Sequence, residues 1–183
     1  MPLAQTHDKI GGITALILFP ASSILLQRYG SLGIEEALRD GAILTAAHLF
    51  GTYFLSPDLD TDSAIDKRWG PLRIIWRPYT VVVPHRAIWS HSGLSGLLRL
   101  IYLAIMLIGL LWALSGALVL IGINNPSYHI RFVNWLQSVI FDHPRTSALI
   151  GFGVVISDLV HTIADHISTE GKRLRRQMFG SKR

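Results

Sequence analysis

The chain contains no cysteine among its 183 residues. A disulfide frame and a thiolate metal site are therefore excluded, and any metal must be held by nitrogen and oxygen. Charge is also scarce. Only 16% of residues are Asp, Glu, Lys or Arg, half are apolar, and the mean hydropathy is +0.39. That is greasy for a soluble domain and polar for a pure membrane channel. Acid is the scarcer sign, with 12 acidic residues against 17 basic ones and a net charge of +5 with the eight histidines taken as neutral. The basic excess points to anionic partners: lipid headgroups, the inner leaflet or nucleic acid. Internal repeats and low-complexity tracts are missing as well. The length suits one domain with a proper core.

What is present is a set of four apolar runs, 13–27, 41–55, 97–123 and 147–164. The third is long enough to cross a bilayer, whereas the first two, at about 15 residues each, fit a short tilted span or a buried hairpin. The first run has the composition of a secretory signal core. Its leader, however, carries only Lys9 and no Ala-x-Ala site follows, so it is read as a retained helix. Gly11-Gly12 reads as a break before it. If all four runs cross, with both termini on one side, that side holds Lys9, five basic residues between Lys67 and Arg86, Arg99 and six in the tail. This is 13 of the 17, leaving Arg28, Arg39, Arg131 and Arg145 opposite. Such a bias places the termini and the 56–96 segment in the cytoplasm of a multi-pass inner-membrane protein.

The chemistry is concentrated between Ser56 and Ser92. Ser56-Pro57-Asp58-Leu59-Asp60 sets two carboxylates two residues apart after a helix-ending proline. His85-Arg86 and Ser90-His91-Ser92 follow. Carboxylates crowded with neutral imidazoles are costly without a cation between them. Outside the stretch lie Thr6-His7-Asp8, His48, and Asp158-x-x-His161-x-x-x-Asp165, whose spacings of three and four share one helix face. The four-crossing topology brings every one of these clusters except His48 to the same side. The bland readings are Asp8 as a helix cap, His48 as a core or seam histidine, His166 as a surface residue, and Asp158 to Asp165 as a hydrogen-bonded polar seam. Trp69, Trp76 and Tyr79, alternating with Arg68, Arg73 and Arg77, suit either the headgroup level or a loop packed by its tryptophans. Val81 to Pro84 reads as a short extended piece.

Taken together, Thr6-His7-Asp8, Ser56-Pro57-Asp58-Leu59-Asp60, Lys67-Arg68-Trp69-Gly70, Pro78-Tyr79, His85-Arg86, Ser90-His91-Ser92 and His161-x-x-x-Asp165 resemble a bacterial family described as metal-binding proteins of unknown function. That family is similar to predicted membrane-bound, metal-dependent hydrolases. More remotely it resembles the all-helical zinc-dependent phospholipase C and single-strand nuclease superfamily. The resemblance implies His7, Asp58, His85, His91, His161 and Asp165 as metal ligands, with Asp60 as a further ligand or general base. The superfamily's use of a mature N-terminal residue as ligand has no counterpart in a chain starting Met1-Pro2.

The expectation is an all-α bundle of about four apolar, transmembrane helices forming a single helical membrane domain over 1–183. The stretch 56–96 is its polar metal-site insert and 169–183 its basic tail. The expected cofactor is a divalent metal, zinc before manganese or iron, as one or two ions. The expected activity is hydrolysis of an anionic phosphate ester, with Asp60 and Arg86 in catalytic roles and membrane lipid as partner. Nucleic acid is a weaker option, because the Trp-Arg segment suits headgroups at least as well as bases. The alternatives are a non-catalytic membrane protein with a structural metal site, and a soluble domain that buries the apolar runs.

Overall fold

The computed structural model describes residues 4–60, 63–83, 93–123 and 126–179. All regular structure among the described residues is helical: α1 (Ala4–Tyr29), α2 (Ile34–Phe54), a 3-10 turn (Pro57–Asp60), α3 (Ala64–Arg68), a second 3-10 turn (Gly70–Trp76), α4 (Arg77–Val82), α5 (Ser95–Leu120), α6 (Tyr128–Gln137), a π turn (Ser138–Asp142) and α7 (Pro144–Phe179). The all-α expectation holds.

Three of these helices are long and apolar enough to cross a membrane: α1, α5 and α7 over Pro144–Gly171. Their apolar side chains point outward. Leu16 is 78% exposed, Trp112 66% and Phe152 63%. Water would not tolerate apolar faces of that extent, but lipid would. A soluble domain would have buried the runs, and this one leaves them bare. The run at 41–55 behaves differently. α2 opens with Glu35, Glu36, Arg39 and Asp40, and its apolar part packs between α1 and α7. It is the inner helix of the bundle, with Asp40 tied to Arg145 on α7 at 2.6 Å.

Two expectations about local structure are corrected. Gly11-Gly12 is not a break, since α1 runs through both. Gly11 is buried where α1 meets α2, and a Cβ there would lie 3.0 Å from Thr52 Oγ1. Close approach, not flexibility, is what the glycine provides. Gly153 does the same on α7, facing Ala47 and the backbone nitrogen of His48. His48 is fully buried in the α1–α2 seam, 3.1 Å from the Gly11 carbonyl. The second correction is at Val81-Val82, which are the last residues of a helix, with only Val83 extended. Beyond Ala164, α7 continues as helix to Phe179, through much of what reads in sequence as a tail.

The insert is packed rather than open. Leu55, Leu59, Ile65, Ile75, Trp76, Tyr79 and Leu103 form one core cluster, with Trp69 and Tyr102 against it. Trp76 stacks edge-on to Trp69 at 5.3 Å and to Tyr79 at 5.9 Å. These aromatics are core, while Arg73 and Arg77 stay exposed beside them. The cluster seals one end of the bundle, where α1 and α5 begin and α2 ends.

Given these bare apolar faces, alkaline carbonate or high salt should leave the chain in the membrane pellet and only detergent should release it. Release by either wash would overturn the membrane reading.

Candidate metal centre

The centre forms where two helices and one turn converge. His7 stands on the second turn of α1. His161 and Asp165, four apart, share a face of α7. Asp58 follows Pro57, which is fully buried and cannot continue α2, so the chain turns sharply into a 3-10 turn there. His7 and His161 are each 6% exposed. Their rings stack at 4.0 Å with 17° between planes.

The contacts run from nitrogen to carboxylate. His7 Nε2 is 3.2 Å from Asp165 Oδ1. His161 Nε2 is 3.6 Å from Asp165 Oδ2 and 3.8 Å from Asp58 Oδ1. His7, His161 and Asp165 each offer a ligand atom within 4.8 Å of the others. On a tetrahedral zinc with bonds of about 2.0–2.1 Å, donor atoms stand roughly 3.3 Å apart. Most of these separations are already near that value. A cavity of about 10 Å³, lined by His7, Gly11, Gly51, Ser56, Ser157 and His161, adjoins the pair of imidazoles.

The donor set fits a divalent cation. Two carboxylates and two imidazoles in a largely buried place carry two negative charges that a dication would neutralise. The structure also prepares one imidazole. Ser56 Oγ lies 3.2 Å from His161 Nδ1. In the tautomer whose Nδ1–H donates to that hydroxyl, Nε2 keeps its lone pair toward the carboxylates. His7 Nδ1 is buried with no hydrogen-bond partner among the described residues. Buried polar atoms seldom stay unsatisfied without a functional reason.

The structure therefore brings together four of the sequence-derived residues, His7, Asp58, His161 and Asp165. Asp60 ends the same 3-10 turn as Asp58. His85, Arg86 and His91 lie outside the described residues.

Asp158 follows the polar-seam reading. It shares the α7 face with His161 but turns to a different partner. At 0% exposure it takes both oxygens to Arg99 Nη2 at 2.7 Å and accepts from Ser95 Oγ at 2.7 Å and Gly96 N at 2.5 Å. Its oxygens are engaged by these donors. Asp8 is a correction. It lies inside α1, not at its cap, and pairs with Arg68. Sequence reasoning missed Ser56 and both arginines in these roles. The signal was there for Arg99: one cation in one apolar run and one anion in another, neither of which can remain alone in such surroundings.

A family model described as "Uncharacterized metal-binding protein (DUF2227)" matches residues 2–175. An uncharacterized protein of Aquifex aeolicus (strain VF5) is 32% identical over 127 residues, covering 69% of this chain and 89% of that protein. No solved structure matches.

Ser56→Ala removes the hydroxyl that orients His161. It should weaken divalent-metal affinity by about 10–100-fold while sparing the fold, as read by competition with a chromophoric chelator. Unchanged affinity would show that Ser56 does not set the tautomer.

Proposed function

Since the chain belongs to the DUF2227 family of metal-binding proteins, we propose that it is a membrane-embedded, metal-dependent hydrolase of a phosphate ester, its centre facing the cytoplasm. The observation that carries the reading is the His7–His161–Asp165 cluster, with Asp58 beside it, at one end of a frame that leaves its apolar faces to lipid. The orientation is supported by the basic residues gathered at that end of the sequence's crossings.

In this reading His7, Asp58, His161 and Asp165 hold the ion, with His85 and His91 completing a site for one or two. An all-N/O set suits zinc, then manganese or iron. A divalent cation so held supplies Lewis acidity toward water and toward phosphoryl oxygens. The chain's own residues do the rest. Ser56 orients His161. Asp60 serves as a further ligand or as general base toward the attacking water. Arg86 offers a planar, always-charged donor to phosphoryl oxygens as negative charge develops. No serine or cysteine nucleophile is called for. The exposed Arg73 and Arg77, interleaved with exposed Leu72 and Ile74, support lipid headgroups as the surface beside the centre.

The test starts from detergent-purified protein. Wild type should contain about one or two divalent ions per chain, the count a mononuclear or two-metal site would hold. His161→Ala and Asp165→Ala should lose them. Retention of metal by both variants would overturn the site. A generic phosphodiester should be hydrolysed by wild type, stopped by chelation and restored by added metal. Turnover that survives chelation would exclude the mechanism. Full metal loading with no turnover on any phosphate ester would leave the ion a structural role.

A further inference from the structure

Helices leave their last carbonyls without intrahelical partners. At the end of α2 three successive carbonyls are met by side chains from elsewhere. Arg68 Nη1 donates to Tyr53 O at 3.2 Å, Trp69 Nε1 to Phe54 O at 3.0 Å, and Arg99 Nε to Leu55 O at 2.6 Å. The next residues are Ser56, which orients His161, and Asp58. The two arginines also reach the opposite way. Arg68 pairs with Asp8, the neighbour of His7 on α1, and its guanidinium sits over the Tyr53 ring at 5.4 Å. Arg99 pairs with Asp158, one turn before His161 on α7. Each guanidinium thus joins the end of α2 to a carboxylate beside a ligand histidine, on two different helices.

We propose that Arg68 and Arg99 are positioning residues that set the spacing of the metal centre, Arg68 fixing His7 and Arg99 fixing His161 against the Ser56–Asp58 turn. The proposal rests on the metal-binding reading above. The physical basis is the guanidinium itself. It is planar and carries several donors in fixed directions, so one side chain holds a carbonyl and a carboxylate at a set angle. Lysine keeps the charge but has a single flexible head, which cannot reproduce that geometry. The Lys67-Arg68-Trp69 motif gains a role by this route: its Arg and Trp cap the helix that carries the ligand turn.

Arg68 is the better probe, being partly exposed and replaceable without burying an unpaired charge. In detergent-purified full-length protein, Arg68→Lys and Arg68→Gln should each weaken zinc affinity by roughly 10–100-fold, the size of effect seen when groups that orient ligands are removed. The visible absorption of the cobalt-loaded protein should change shape, reporting altered coordination. Thermal unfolding of the metal-free variants should stay close to wild type. For the buried pair, the double variant Arg99→Met with Asp158→Leu removes both charges together, which avoids stranding one. It should fold and show the same loss of affinity and the same kind of cobalt change.

Wild-type affinity and an unchanged cobalt spectrum in the Arg68 variants would overturn the brace while leaving the metal centre intact. An affinity loss matched by an equal loss of metal-free stability would also overturn it, because that is plain destabilisation. A wild type that takes up no zinc or cobalt would remove the metal centre and the brace together.

Discussion

A guanidinium and a carboxylate, both at 0% exposure, hold α5 to α7 inside a frame whose outer surface suits hydrocarbon. The end of the bundle that carries the insert is built around that pair. Neither ion tolerates such surroundings alone, and removing one partner of a buried pair costs about 3–5 kcal/mol. The pair need not add net stability over an apolar replacement. What it adds is register. Asp158 accepts from Arg99, Ser95 and the Gly96 backbone at once, so α7 meets the first turn of α5 in one arrangement. His161 stands one turn further along the same helix. Its position is inherited from a contact it does not make.

The frame around this pair explains why the centre sits where it does. α1 and α5 begin, and α2 ends, at the same end of the bundle, and there the insert folds into an aromatic core around Trp76. Close approach of the helices supports it. Gly11 leaves room for Thr52 between α1 and α2, and Gly153 leaves room for Ala47 between α2 and α7. Larger side chains would push α1 and α7 away from α2, and with them His7 and His161. The ligands converge because backbones can approach at glycine, and because polar residues in an apolar setting find each other.

Much of this was legible in the sequence, for identifiable reasons. The apolar runs at 13–27, 97–123 and 147–164 mark helices because length and hydropathy act locally. The convergence of His7, Asp58, His161 and Asp165 followed from placing helix ends on one side, a consequence of topology. Other features were not legible because they depend on partners distant in sequence. A glycine pair reads as a break from propensity alone, and only the presence of Thr52 makes Gly11 a packing residue. Three apolar residues before Pro84 read as a short extended piece, while the structure makes Val81 and Val82 the end of α4. Helix periodicity put Asp158 on the face of His161 correctly. It could not say that Arg99, 59 residues earlier, claims that carboxylate. Shared face is a local property, and choice of partner is not.

The same distinction separates two kinds of polar group in this chain. Asp158 and Asp8 answer cations supplied by the protein, Arg99 and Arg68. Asp165 lies between the imidazoles of His7 and His161, and Asp58 lies beside His161. The rings of His7 and His161 stack on one another, Ser56 lies at His161 Nδ1, and a small cavity adjoins the two rings. Where the arginines engage Asp158 and Asp8, the His7, His161 and Asp165 donors stand close enough together to hold a cation. That convergence of donors, rather than the mere presence of histidine and aspartate, makes it the candidate metal centre.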